Sequence, residues 1–187
     1  FWFFYYLESE RGYTPEQAMM TMLVAITALS VGYLLGGNLG DALFKRSQRG
    51  RIILAGIGVL AGAIFLYITM ILPVDRTGLF MVLMGFTGVS MSIASPNVMA
   101  TMHDITLPEV RSTAQSFRKL FEDGGAAAAP FLAGVIATRA SLHTAILSIC
   151  IVTWVLCAAF FGVIALTVPE DINRLRTTMR KRAENSE

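Results

Sequence analysis

The sequence predicts an all-α membrane protein. Of its 187 residues 55% are apolar and only 15% are charged, against about 25% charged in an ordinary globular domain. The apolar residues gather into long blocks with the charges between them, whereas a helix that covers a soluble core carries a polar stripe. Five of the blocks reach the ~20 residues that a helix needs to cross a bilayer.

Taken in order, the chain opens on Phe1–Leu7, an aromatic apolar run too short to span, which reads as the end of a helix that begins upstream. Thr14-Pro15-Glu16 then supplies an N-cap followed by a proline at the first helical position. The first complete span is expected over 18–40 and the second over 52–72, ended by Pro73 and a turn through Asp75–Gly78. The third is expected over 79–102. Leu107-Pro108-Glu109 breaks the chain before the fourth, 119–138, which lies within a longer helix starting near Ser112. The fifth covers 142–168. Only Arg139–Ser141 separates it from the fourth, so those two must be antiparallel neighbours. Residues 169–187 form a polar, basic tail. Ile172, Leu175 and Met179 recur at helical spacing in it, which fits either a short helix on an anionic leaflet or a charged tail without fixed structure, and Ala183–Glu187 are expected to be disordered.

Lys and Arg divide unevenly between the two ends of these spans. Lys45, Arg46, Arg49, Arg51, Arg111, Arg118, Lys119, Arg174, Arg176, Arg180, Lys181 and Arg182 fall on one side, and Arg11, Arg76 and Arg139 on the other. That bias puts the C-terminus in the cytoplasm of a plasma or inner membrane. Cys150 and Cys157 lie seven apart inside an apolar block and read as small buried hydrophobes, not as a disulfide framework.

The most specific segment is Gly36-Gly37-Asn38-Leu39-Gly40-Asp41-Ala42-Leu43-Phe44-Lys45-Arg46, continuing to Arg49-Gly50-Arg51. Gly32, Gly36 and Gly40 are four apart, so one face of this helix is bare backbone suited to close packing. The helix ends in one carboxylate, Asp41, and hands over to a basic loop. This pattern resembles the signature between the second and third helices of each half of major facilitator superfamily transporters. Gly37, Leu39, Gly40 and Asp41 match it, Ala42 departs where a base is usual, and the basic cluster sits a few residues late. Pro108-Glu109-Val110-Arg111-Ser112-Thr113-Ala114, with Gly124-Gly125 and Ala129–Gly134 downstream, is similar to the family's loop into the fifth helix of a half. The run Asn97, Asp104, Pro108 and Arg111–Ala114 is most similar to the spinster-like branch, from which alone a lipid-like substrate would follow.

The resemblance implies the C-terminal six-helix half of a twelve-helix transporter, with 1–7 as the end of helix seven and the five spans as helices eight to twelve. Such proteins carry solutes by rocking two halves about a midplane site. It further implies a missing N-terminal half as partner, a small or amphipathic substrate, a coupling ion, most naturally the proton, and a conformational latch at Gly37, Gly40, Asp41, Arg46 and Arg111. In the family that carboxylate docks at a helix end of the opposite half. With that half absent, Asp41 is expected to be under-satisfied, with Arg111 or the Lys45–Arg51 loop as its available cations.

Polar side chains at mid-depth face protein or water rather than lipid, and the third span carries Thr87, Ser90, Ser92, Ser95 and Asn97 around Pro96. Tyr33, Ser95 and Asn97 are therefore cavity candidates, beside the alternative that such groups bond their own or neighbouring helices. Arg118–Glu122 and Lys119–Asp123 are i,i+4 pairs at a solvated helix start, or else Glu122 or Asp123 carries a coupling proton. His103-Asp104 is open in the same way, as a pH-sensitive gate pair or an ordinary helix end. Neither H-E-x-x-H, nor G-x-S-x-G, nor a Cys/His ligand cluster occurs, so no enzyme, metal or cofactor is expected. The basic loops lack interleaved aromatics, and no nucleic-acid partner is expected. A membrane scaffold or sensor without transport is the rival reading.

Overall fold

The apolar blocks become long helices because a backbone in hydrocarbon must satisfy its own polar groups. The structure is a computed structural model and describes residues 2–185. Phe1, Ser186 and Glu187 lie outside the described residues, and with them the first residue of the opening remnant and the last two of the tail. In chain order the helices are α1 (Trp2–Ser9), α2 (Pro15–Arg46), α3 (Gly50–Met70), α4 (Thr77–Ser92), α5 (Ala94–Ile105), α6 (Arg111–Arg139) and α7 (Leu142–Glu184), with a 3-10 turn at Pro108–Val110 before α6. No strand occurs among the described residues. Among the described residues, taking α4 with α5 as one unit, five helices are long and apolar enough to cross a membrane.

Local chemistry explains the ends. Thr14 and Gln17 form a reciprocal capping box at the start of α2: Thr14 Oγ1 accepts from the Gln17 N–H at 3.3 Å, and Gln17 Oε1 accepts from the Thr14 N–H at 3.1 Å. Ser141 caps α7 by accepting from the Thr144 N–H at 3.1 Å. Pro96 has no N–H to offer Ser92, and the ladder breaks at Ile93, dividing the third span into α4 and α5.

Packing is built on α3, which lies against α7 and α4, while α2 lies against α4 and α5. The glycine face of α2 meets α4–α5 at Val89, Ile93 and Asn97, and a Cβ on Gly36 would stand 2.7 Å from Ile93 Cα. At the end of the bundle that carries the α1–α2 loop, two adjacent residues of opposite charge serve two helix termini. Glu10 accepts from the Leu142 and His143 N–H groups at 2.7 and 3.0 Å, capping α7. Arg11, buried over the Phe80 ring, donates to the Leu72 and Pro73 carbonyls at 3.2 and 3.1 Å, just past the end of α3. Each charge complements the dipole it meets.

The structure differs from expectation at the tail. α7 does not stop at Val168 but runs through Pro169 to Glu184, so Ala183 and Glu184, expected to be disordered, are helical. The physical reason is burial: Ile172, 2% exposed, packs with Val168 and Ala165 of its own helix against Ile52. That burial works against the lost ladder bond and ring clash by which an interior proline disfavours a helix.

Candidate functional site

α2 and α5 are tied together at the end of the bundle that holds the α2–α3 loop. Arg51, in the first turn of α3, donates through Nη2 to Asp41 Oδ1 at 2.6 Å and through Nη1 to Asp104 Oδ2. Its side chain is 13% exposed, that of Asp104 30% and that of Asp41 63%. One guanidinium thus bridges a carboxylate on each of two helices, a geometry its rigid fork of donors suits. Asp41 therefore does have a cation in this chain, and it comes from the loop side. Arg111 is not that cation: it donates to the His103 and Thr106 carbonyls at 3.0 and 3.3 Å, closing the turn between α5 and α6. Arg46 is exposed and forms no ion pair among the described residues. His103 and Asp104 also part company, the imidazole Nε2 lying 3.4 Å from Gln115 Nε2 while the carboxylate takes Arg51.

Seven residues further from this end, Asn97 joins the same two helices. It is 1% exposed, and its Nδ2 donates to the Gly36 carbonyl at 2.9 Å and the Ile93 carbonyl at 2.8 Å. Its Oδ1 occupies the space a side chain at residue 40 would fill. Gly40 is thus the glycine that admits Asn97, whereas Gly37 lies off the contact, where a Cβ would come no nearer than 4.0 Å to Pro96 Cβ.

Tyr33 and Ser95 lie elsewhere. With Leu29, Ser30, Leu34, Met91 and Ser92 they line an open groove of about 670 Å³ between α2 and the α4–α5 junction. No charged residue lines it. Ser30 and Ser92 spend their hydroxyls on carbonyls of their own helices, at 3.4 and 2.9 Å, so the Tyr33 and Ser95 hydroxyls are the ones left to face it. The structure therefore brings Tyr33 together with Ser95 but places Asn97 behind them, inside the helix contact.

On α6, Glu122 accepts from Arg118 at 2.8 Å and Asp123 from Lys119 at 2.6 Å, all four on an exposed stretch or its edge. Neither acid touches the hub or the groove. No group of three or more His, Cys, Asp or Glu residues able to hold a metal occurs among the described residues. The part sequence reasoning did not single out is Arg51, together with Phe44, whose ring lies 4.1 Å from the guanidinium carbon. The signal that was available is the base displaced from position 42 to the far side of the loop. A family model described as Major Facilitator Superfamily matches residues 1–183. No curated protein matches the chain.

Proposed function

The chain belongs to the major facilitator superfamily, and on that premise we propose that it forms the C-terminal half of a secondary carrier that moves a small solute by alternating access. It is an integral, multi-pass membrane protein. The observation that carries the finer reading is the open groove of Tyr33 and Ser95, lined by helices that a charged hub ties together. An apolar lining with two available hydroxyls and no charge suits a neutral or amphipathic solute, whose apolar body gains by burial while the hydroxyls orient it. The opposite wall comes from an N-terminal six-helix half.

In this reading Asp41, Arg51 and Asp104 form the latch, Gly36 and Gly40 let α2 approach its neighbours, and Arg46 and Arg111 shape the basic end, which faces the cytoplasm with the C-terminus. A proton is the coupling ion we assign. Asp104, paired with Arg51, is the candidate acceptor within the hub, whereas Glu122 and Asp123 stand in exposed i,i+4 pairs away from hub and groove.

Reconstitution tests the proposal. Liposomes holding this chain alone should show no saturable uptake, because a half presents only one wall of the cavity. The carrier reassembled with its N-terminal half should show it, and Asp41→Asn should slow it and shift thiol labelling toward the inward-open state. Saturable flux by the isolated chain, or wild-type flux and labelling in the Asp41→Asn carrier, would sink the half-carrier or the latch respectively.

A further inference from the structure

The Arg51 hub has a floor, the Phe44 ring, and the cluster behind that ring includes the far end of the chain. The guanidinium carbon of Arg51 lies 4.1 Å from the centroid of the Phe44 ring. Phe44 in turn packs on the cluster formed by Ile52, Ala165, Val168 and Ile172. Ile172 belongs to the part of α7 beyond Pro169, and it is 2% exposed although its neighbours Asn173 and Arg174 are open to solvent. Two polar contacts hold the same extension. Asn173 Oδ1 accepts from Gln48 Nε2 at 3.2 Å, and Arg182 Nη1 lies 2.6 Å from Glu109 Oε1. Gln48 stands in the loop leading to Arg51, and Glu109 in the turn that follows Asp104. The extension is therefore fastened to both stretches of chain that the hub joins.

These contacts are not equal. The two polar ones are exposed, and exposed pairs contribute little. The ring under Arg51 is different, since the side chain is only 13% exposed and its Nε is buried without a partner. A desolvated guanidinium gains more from a ring face than an exposed one does. The contact also fixes the plane of the fork, and that plane aims Nη1 and Nη2 at two separate carboxylates. Without that ring beneath it the guanidinium would tilt, and the contact to Asp41, the more exposed acid, would loosen first.

We propose that Phe44 and Ile172 are positioning residues for the Arg51 hub, and that the C-terminal extension of α7 thereby sets how firmly the latch is held closed. This rests on the latch reading of Asp41, Arg51 and Asp104. The experiment is backbone hydrogen exchange on the whole chain in nanodiscs, followed in segments 41–49 and 103–110 alongside the melting temperature. Arg51→Gln should speed exchange in both segments. Phe44→Leu and Ile172→Ala should each speed it about five- to ten-fold, Phe44→Trp should hold it near wild type, and Phe44→Leu should add nothing once Arg51 is already Gln. If Phe44→Leu and Ile172→Ala speed exchange as much without Arg51 as with it, or only lower the melting temperature, both residues are packing alone and the inference is overturned. If Arg51→Gln leaves segment 103–110 unchanged, the hub does not tie the two helices, and the latch reading falls with the inference.

Discussion

Asn97 sits one residue past Pro96 with both amide hydrogens spent on carbonyls, one on α2 and one on its own helix. A primary amide in hydrocarbon must find partners for its donors and its acceptor, and from sequence alone a substrate could have supplied them. The partner is instead a backbone carbonyl 61 positions earlier, made reachable only because residues 36 and 40 have no side chain. Asn97→Ala should therefore act as a loss of helix contact. Polar contacts between membrane helices are worth about 0.6–1.7 kcal/mol, so the variant should melt several degrees lower in detergent. Solute uptake by the reassembled carrier, counted per folded molecule, should stay near wild type. A fall in uptake at unchanged melting temperature would return Asn97 to the solute path. Tyr33 and Ser95 could be named from sequence only as candidates, since hydroxyls on such helices also bond backbone carbonyls, as Ser30 and Ser92 do. Arg51 could not be singled out, since choosing among the bases of one loop needs the distances between helices.

At the scale of the helix, the small-residue face of α2 gives a contrast between neighbours. A Cβ on Gly36 meets the Ile93 backbone at 2.7 Å, and backbone cannot step aside as a flexible side chain can, whereas a Cβ on Gly37 finds only Pro96 at 4.0 Å. Gly36→Ala should push α2 off α5 and cost roughly 1–3 kcal/mol, the usual penalty of overpacking. Gly37→Ala should be neutral or slightly stabilising, since alanine holds a helix better than glycine. Comparing the two unfolding midpoints in mild detergent checks this, and equal losses would mean that the helices do not approach as closely as described. This face was readable because three glycines four apart have one geometric meaning on a helix. The course of α7 past Pro169 was readable only in part, since Ile172, Leu175 and Met179 allowed a helix there but not its continuity with the last span. Proline argues for a stop, and what works against it is a pocket for Ile172 built by Ile52 and Phe44, more than a hundred residues away in sequence.

For the molecule as a whole, the charges and the helices make one consistent object. Even passes of the chain return the α2–α3 loop, the α5–α6 turn and the end of α7 to the same end of the bundle, and Arg51 touching Asp41 and Asp104 requires the first two to be adjacent there. Arg182 on Glu109 adds the third. The opposite end holds the α1–α2 loop, the Leu72–Arg76 turn and the α6–α7 connection, joined by Glu10 and Arg11. Spans were legible because twenty apolar residues have few fates, while partners across the bundle were not, because hydropathy carries no azimuth. Lys and Arg crowd the first end and are sparse at the second, and in short loops such a bias sets orientation through the energy of moving cations across the membrane. With Cys150 and Cys157 replaced by Ser, a cysteine at Gln48 should be closed to an impermeant maleimide in intact cells and react once the membrane is opened. A cysteine at Asp75 should react from outside in intact cells. Both sites are at least partly solvent-exposed, so a failure to label cannot be put down to deep burial. If the Gln48 cysteine labels from outside and the Asp75 cysteine does not, the chain lies the other way up, and the hub, with the extension that holds it, faces the exterior.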